Sequence, residues 1–357
     1  MPNTRVARLR ALLKDKGEEA ILVTNAVNRR YLTGFTGTSG VVLVTSDKAA
    51  LLTDFRYRDQ APMQAVGFEI VEHAPDVYET VAELLGQWGV ARLLFEDKHV
   101  SFAAYAAMKD KLKPAEIAAA GAILEQLRIV KDEQEVAVIQ EAADLADRAF
   151  AHILNFIKPG ATEAAVALEL EFFMRKHGAT STSFDTIVAS GPRSALPHGV
   201  ASDRVIGKGE FVTLDFGAYY KGYCSDLTRT VVVGQPSDKQ KEIYDIVLEA
   251  QLYALEHLRP GLTGKEGDAL TRDIITRYGY GDHFGHGTGH GLGMEIHESP
   301  RLSRTDDTVL TPGMIVTVEP GIYVPGFGGV RIEDDVVVTD TGIKILTHSP
   351  KELIVLD

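Results

Sequence analysis

From residue 1 to about residue 127, short apolar runs alternate with amphipathic stretches. Val6, Leu9 and Leu13 recur at helical spacing; Ala20–Thr24 and Val41–Val44 are β-rich runs, and Ala49–Thr53 is placed to pair back on the second. Tyr78–Trp88 predicts a helix, Arg92–Phe95 a strand and Ser101–Leu112 another helix. Such alternation predicts a small α/β domain with a covered sheet. The pattern changes near Arg128–Lys131. Asp132, with Glu135 three residues on, predicts a capping box opening a long amphipathic helix to about Ile157. Lys158-Pro159-Gly160 ends it, and Thr162 opens a second helix to about Lys176. Longer strands follow at Phe211–Tyr219, Tyr223–Val233, Met314–Val318 and Gly329–Thr339, with helices at Asp238–His257 and Thr263–Arg277. Residues 128–357 therefore predict helices packed on antiparallel sheet, an α+β domain after the α/β domain of 1–127. No low-complexity segment and no repeat of fixed period is visible.

Composition narrows the function classes. A chain of 357 residues is long enough for two cores. The net charge of −13, from 37 basic and 50 acidic residues, repels phosphate backbones and anionic lipid. Nucleic-acid and membrane binding are accordingly not expected. Cys224 is the single cysteine, so no intrachain disulfide can form and a reducing, cytoplasmic setting is expected. The N-terminal stretch lacks the apolar core of a signal peptide, and no apolar run approaches a bilayer span.

The chemistry concentrates in acids. Phe211-Val-Thr-Leu-Asp215 and Tyr223-Cys-Ser-Asp226 flank a turn at Tyr220-Lys221 or Lys221-Gly222. In one register Asp226 faces Asp215, in the other Gly217. Period-two alternation puts Asp215 and Asp226 on one face either way, unless a bulge intervenes. Two close carboxylates repel unless a cation lies between them; the bland alternative is a solvent-facing edge hairpin, and the flanking apolar residues weigh against it. Glu319 ends an apolar strand before Pro320-Gly321, and Glu333 interrupts another. Buried acids in strands are costly unless paired or metal-bound. Arg331, two residues from Glu333, could form an ordinary ion pair with it.

Three histidines, His286, His290 and His297, stand with Glu298 on a glycine-rich segment. Gly287 and Gly289 argue against a zinc-binding helix and for a loop or strand of close backbone approach. Gly261–Glu266 lacks P-loop spacing, Gly34–Gly40 lacks a dinucleotide-type turn, and no serine nucleophile elbow occurs. Cys224 has no evident base.

The segments LDFGAYYKGYCSDLTRT, HGTGHGLGMEIHESPRL, VEPGIYVPGFGGVRIED and Pro197-His198-Gly199 resemble the pita-bread metallopeptidases, most nearly their proline-specific aminopeptidase P and prolidase branch. RRYLTGFTGTSG and LLTDFRYRDQA resemble the smaller creatinase-like domain that precedes the catalytic one in that branch. The resemblance implies two divalent metal ions, manganese or cobalt with zinc or iron tolerated. Asp226 and Glu333 would bridge them, with Asp215 on one and His290 and Glu319 on the other. A set of four carboxylates and one imidazole is hard and oxygen-rich, which suits such ions. Glu319 would also move the proton, and His198 and His297 would contact substrate and stabilise the oxyanion, with His286 and Arg331 supporting. Arg301 stands where some prolidases hold a dipeptide's carboxylate. The implied activity is an Xaa-Pro aminopeptidase that also accepts dipeptides, with a prolidase as the alternative and a homodimer as the expected assembly. A non-catalytic pita-bread binding protein and a metal-independent creatinase-type hydrolase are more remote, because all five ligand positions are occupied.

Overall fold

A computed structural model describes residues 4–357, and the chain divides into two compact units, Met1–Arg128 and Ile129–Asp357. In the first, six strands form one mixed sheet. Ala20–Val23 lies between Val41–Thr45, antiparallel to it, and Arg92–Phe95, parallel to it. Ala49–Thr53 pairs back on Val41–Thr45, as its pattern predicts. The edge strands Glu69–Glu72 and Glu116–Ala119 escape the sequence reading because each is four residues long with both end residues exposed. Helix Val77–Trp88 buries Val81, Leu84 and Leu85 against the sheet, where Leu22, Leu43, Leu52 and Leu93 meet them. A helix not foreseen, Ala26–Thr33, starts from Asn25, whose side chain accepts from Val27 and Asn28.

In the second unit, Asp132 and Glu135 close the capping box of helix Glu133–Ile153, and Thr162 caps Glu163–Lys176. These two helices bury Leu145, Phe150, Ile153 and Leu170 against Val212, Leu214 and Val231 of the sheet. Helices Asp238–His257 and Gly264–Arg277 repeat the arrangement, with Val247, Ile274 and Ile275 in a core with Val232 and Ile332. The repetition is visible in the chain: Lys158-Pro159-Gly160-Ala161-Thr162 opens the second helix of the first pair, and Arg259-Pro260-Gly261-Leu262-Thr263 that of the second. Isolated bridges match as well, Thr162 with Val205 and Thr263 with Val309. Unequal insertions hide this as a fixed period. Among the described residues no helix is long and apolar enough to cross a membrane.

Two antiparallel ribbons carry the acids. In the first, Tyr220 pairs with Tyr223 across Lys221-Gly222, both at positive φ (50° and 94°), as a two-residue hairpin turn requires. The same register continues to Leu227 with Phe216 and Thr228 with Asp215, which sets Asp226 opposite Gly217. The second of the two registers expected is therefore the one observed, and no bulge separates the acids. In the second ribbon Ile315–Val318 pairs with Asp334–Val338, and Gly321–Val324 with Gly328–Arg331. The single strands expected over Phe211–Tyr219, Tyr223–Val233 and Gly329–Thr339 are thus each two strands, parted at Gly217, at Ser225-Asp226 and at Ile332-Glu333, where the chain passes from one sheet to another. The register persists across the last break and places Glu319 opposite Glu333.

Gly217 is fixed by space, since a Cβ there would lie 1.8 Å from the Ser225 carbonyl oxygen. Gly217→Ala must push the ribbon apart between its two acids. We expect a loss of about 1–3 kcal/mol in urea unfolding, accompanied by weakened divalent-metal binding.

Candidate metal centre

The acids sit where the ladders open. Asp226 sends its backbone N–H not across its own hairpin but to Asp335 Oδ2 at 2.9 Å. Glu333 sends its N–H to the Thr228 carbonyl at 3.1 Å, and Glu319 sends its own to that of Thr288 at 2.7 Å. The acid-bearing residues therefore stitch neighbouring ribbons together, and their side chains enter one cavity of about 520 Å³. Asp215, Asp226, His290, Glu319 and Glu333 all line it, as do His198, His286, His297, Arg301 and Arg331. Every site residue expected from the sequence is brought to this one place.

Three of the four carboxylates are oriented through one oxygen. Arg331 Nη2 donates to Asp215 Oδ2 at 2.5 Å, Thr228 Oγ1 to Glu333 Oε2 at 2.5 Å, and Thr317 Oγ1 to Glu319 Oε1 at 3.2 Å. Asp215 Oδ1, Asp226 Oδ1 and Glu333 Oε1 are buried with no hydrogen-bond partner. The ion pair considered between Arg331 and Glu333 is not formed. The guanidinium faces Asp215, Tyr323, Thr228 and the Pro197 carbonyl instead, because the chain turns between sheets after Arg331 and the two side chains no longer share a strand face.

His290 comes from the strand Gly289–Gly291, not a helix, as the flanking glycines predict. Its Nδ1 lies 3.1 Å from the Gly291 carbonyl, an acceptor only, so the ring proton resides there. Nε2 then turns its lone pair towards Glu319 Oε1 at 3.4 Å and Asp226 Oδ2 at 3.6 Å. Burial, with His297 nearby, pushes His290 down to about 3, so the ring is neutral and these contacts are not ion pairs. Burial and Arg331 push His286 down to about 4; its Nε2 meets the Tyr323 hydroxyl at 2.7 Å. His297 stacks edge-on to His290 with centroids 4.4 Å apart.

Such a cluster is unfavourable without a cation. Burial, then repulsion from Glu333 and Asp215, drives the Asp226 pKa well above its ordinary value. Burial, with Glu319 and Asp215 beside it, does the same to Glu333, and burial raises Asp335. Glu319 is pushed up to about 8 by burial, which outweighs the opposing pull of Arg331. Partnerless oxygens, a neutral imidazole lone pair and mutually repelling carboxylates together fit divalent cations. Asp226, His290 and Glu333 bring ligand atoms within 4.8 Å of one another.

Some functional positions were not foreseen. Asp335 lies two residues from Glu333 in the same run of acids, and its spacing could have shown it. Thr228 directly precedes Arg229 on the strand of the first acid pair, but its bond to Glu333 depends on the meeting of two ribbons. Tyr323 carries no local signal. Cys224 is buried, and burial pushes its thiol up to about 12, which agrees with its exclusion as a nucleophile.

Comparison with known proteins fits this geometry. The model of metallopeptidase family M24 matches residues 137–340, and that of the creatinase/prolidase N-terminal domain matches residues 5–130. The chain belongs to metallopeptidase family M24. An Xaa-Pro dipeptidase of Bacillus anthracis superimposes with a TM-score of 0.97 at 57% identity, covering 99% of both chains. An Xaa-Pro dipeptidase of Pyrococcus furiosus is 41% identical over 360 residues, covering 98% of this chain and 99% of its own. An X-Pro aminopeptidase of Thermotoga maritima gives a TM-score of 0.92 at 39% identity, covering 98% of this chain and all of its own. The fold expected, an α/β domain followed by an α+β pita-bread domain, is the one these M24 proteins share.

The raised carboxylates give a pH prediction. A group whose folded pKa exceeds its unfolded value stabilises fully below the unfolded value, near 4 for carboxylates, and loses that contribution as pH rises through the folded one. The metal-free protein should therefore weaken between pH 5 and pH 8, the window ending at about 8 for Glu319. Bound cations neutralise the same charge. The gain in unfolding midpoint on adding Mn²⁺ should be larger at pH 8 than at pH 5, by roughly 5 °C; an equal gain at both would show that these acids are not the ligands.

Proposed function

We propose that the chain is a proline-specific metallopeptidase that hydrolyses Xaa-Pro bonds, with dipeptides as its main substrates. The observation that carries this is the single cavity in which partnerless carboxylate oxygens, a neutral histidine and a rim of cationic and histidine side chains converge. In this reading Asp215, Asp226, His290, Glu319 and Glu333 would hold two divalent ions, manganese or cobalt first. Bound there, the ions supply Lewis acidity that makes water nucleophilic near neutral pH. Glu319 takes the proton from the attacking water and hands it to the leaving proline nitrogen. His198 and His297, exposed at the rim, donate to the oxyanion as the carbonyl becomes tetrahedral. His286 and Arg331 hold this arrangement from behind through Tyr323 and Asp215.

The rim and the relatives support the dipeptidase side of the two Xaa-Pro activities. Arg301 lines the cavity and is placed to hold the C-terminal carboxylate of a dipeptide. The relatives from Bacillus anthracis and Pyrococcus furiosus are both named dipeptidases. The resemblance of the N-terminal segments favours an aminopeptidase P-like activity, and the Thermotoga maritima relative supports that second reading. We further place the protein in the cytoplasm as a homodimer, its domains dividing at residues 127 and 128; the buried single cysteine suits a reducing compartment.

Chelator-stripped protein assayed with Mn²⁺ on an Xaa-Pro dipeptide and the matching Xaa-Pro-Xaa tripeptide tests the proposal. Restored hydrolysis of the dipeptide, with Arg301→Ala raising its KM at least tenfold, is the expected result. Preference for the tripeptide would make it an aminopeptidase, and no hydrolysis of either at full metal loading would leave a binding protein. Asp226→Asn should lower kcat by at least about a thousandfold without unfolding the domain; unchanged turnover would refute the metal mechanism.

A further inference from the structure

Glu163 is the first residue of helix Glu163–Lys176, and its side chain is fully buried. A buried carboxylate must be satisfied from all sides. Here every partner belongs to one stretch of chain. Oε1 accepts from the Ser190 N–H at 2.7 Å and the Ser190 hydroxyl at 2.8 Å. Oε2 accepts from the Ser202 N–H at 3.1 Å, the Ser202 hydroxyl at 2.7 Å and the Arg193 guanidinium. Ser190 ends the strand Ile187–Ser190, and Ser202 closes the loop that follows. Between them lies His198, exposed and on the wall of the cavity. Arg193 extends the clamp by donating to the Val200 carbonyl at 2.8 Å.

The repeated half of the unit supplies an internal comparison. There the helix opening at Gly264 holds its loop by backbone alone, Gly264 N–H to the Thr308 carbonyl and Lys265 N–H to that of Asp306. The first half makes the same two bonds, from Glu163 to Arg204 and from Ala164 to Ser202. At Gly264 a Cβ would lie 2.1 Å from the Arg301 carbonyl, so the loop rests directly on the helix end. At Glu163 the loop stands off, and the carboxylate fills the gap. The backbone bonds suffice to attach a loop; the buried charge is an addition specific to the loop that bears His198.

We infer that Glu163 is a positioning residue for His198, clamping both ends of its loop so that the imidazole is held over the cavity. This rests on the role given to His198 above. Glu163 acts only through that histidine, so its removal should cost turnover only while His198 is present. Glu163→Gln keeps the size of the side chain and loses the charge that holds Arg193. It should lower kcat roughly tenfold with KM and metal content unchanged. In a His198→Ala background the same substitution should change kcat by less than about twofold. Ser202→Ala, which removes one hydroxyl at the far end of the loop, should show the same dependence on His198 with a smaller loss, and serves if Glu163→Gln folds poorly. Equal losses in both backgrounds would overturn the inference and leave Glu163 a purely structural residue. Undiminished turnover by His198→Ala alone would overturn the role of His198 first, and the inference with it.

Discussion

Everything in the catalytic unit answers to the repulsion among carboxylates held together out of water. Asp226, Glu319, Glu333 and Asp335 each have a raised pKa, and burial is the first cause for all four. A fold driven only by stability would keep such groups apart, because desolvation of an ion costs more than most pairings return. Here the backbone prevents their separation. The acids are fixed at points where two ribbons exchange hydrogen bonds, so moving any one of them breaks a bond between sheets. The cluster is a standing demand for positive charge, and only part of it is met by protein. Arg331 serves Asp215, while Arg229 and Lys351 are spent on neighbouring Asp334. A divalent ion is what remains to satisfy the others.

The same constraint explains what was legible in the sequence. Asp215 and Asp226 share a hairpin, and a hairpin's register follows from its turn; alternation then fixes their common face without knowledge of the rest of the fold. Glu319 and Glu333 were visible as acids out of place in apolar strands, but not as a facing pair. Their relation depends on two strands that each break and change sheets, and neither Glu319-Pro320 nor Ile332-Glu333 signals the change of partner. Arg331 shows the consequence. Period two, applied through the break, joined it to Glu333, whereas the turn after it delivers it to Asp215. Both ribbons pass between sheets beside their acids; the register of the first follows from a two-residue turn that the sequence shows, whereas alternation carried through the break of the second misassigns Arg331.

The rim follows a further logic, which separates holding a metal from holding a substrate. His290 is oriented by its own neighbour, the Gly291 carbonyl, and by ring contact with His297. His297 in turn sits on the segment between Gly291 and Glu298. Glu298 is buried and paired at 2.9 Å with Lys131, whose side chain is only 1% exposed, and its other oxygen accepts from the Glu295 N–H. Burying such a pair returns little net stability, so its use is better sought in geometry: it fixes the loop behind His297 against the start of helix Glu133–Ile153. Glu163 does the equivalent behind His198. Two exposed histidines on two loops are thus each backed by a buried carboxylate with a cationic partner, Lys131 in one case and Arg193 in the other. In the proposed mechanism these imidazoles meet a developing oxyanion and gain from such anchoring, since a donor contributes most when it need not reorganise as charge develops. On the proposed reading, the acids at the centre of the cavity are held apart from water to bind metal, and those behind the rim are held apart from it to keep histidines still.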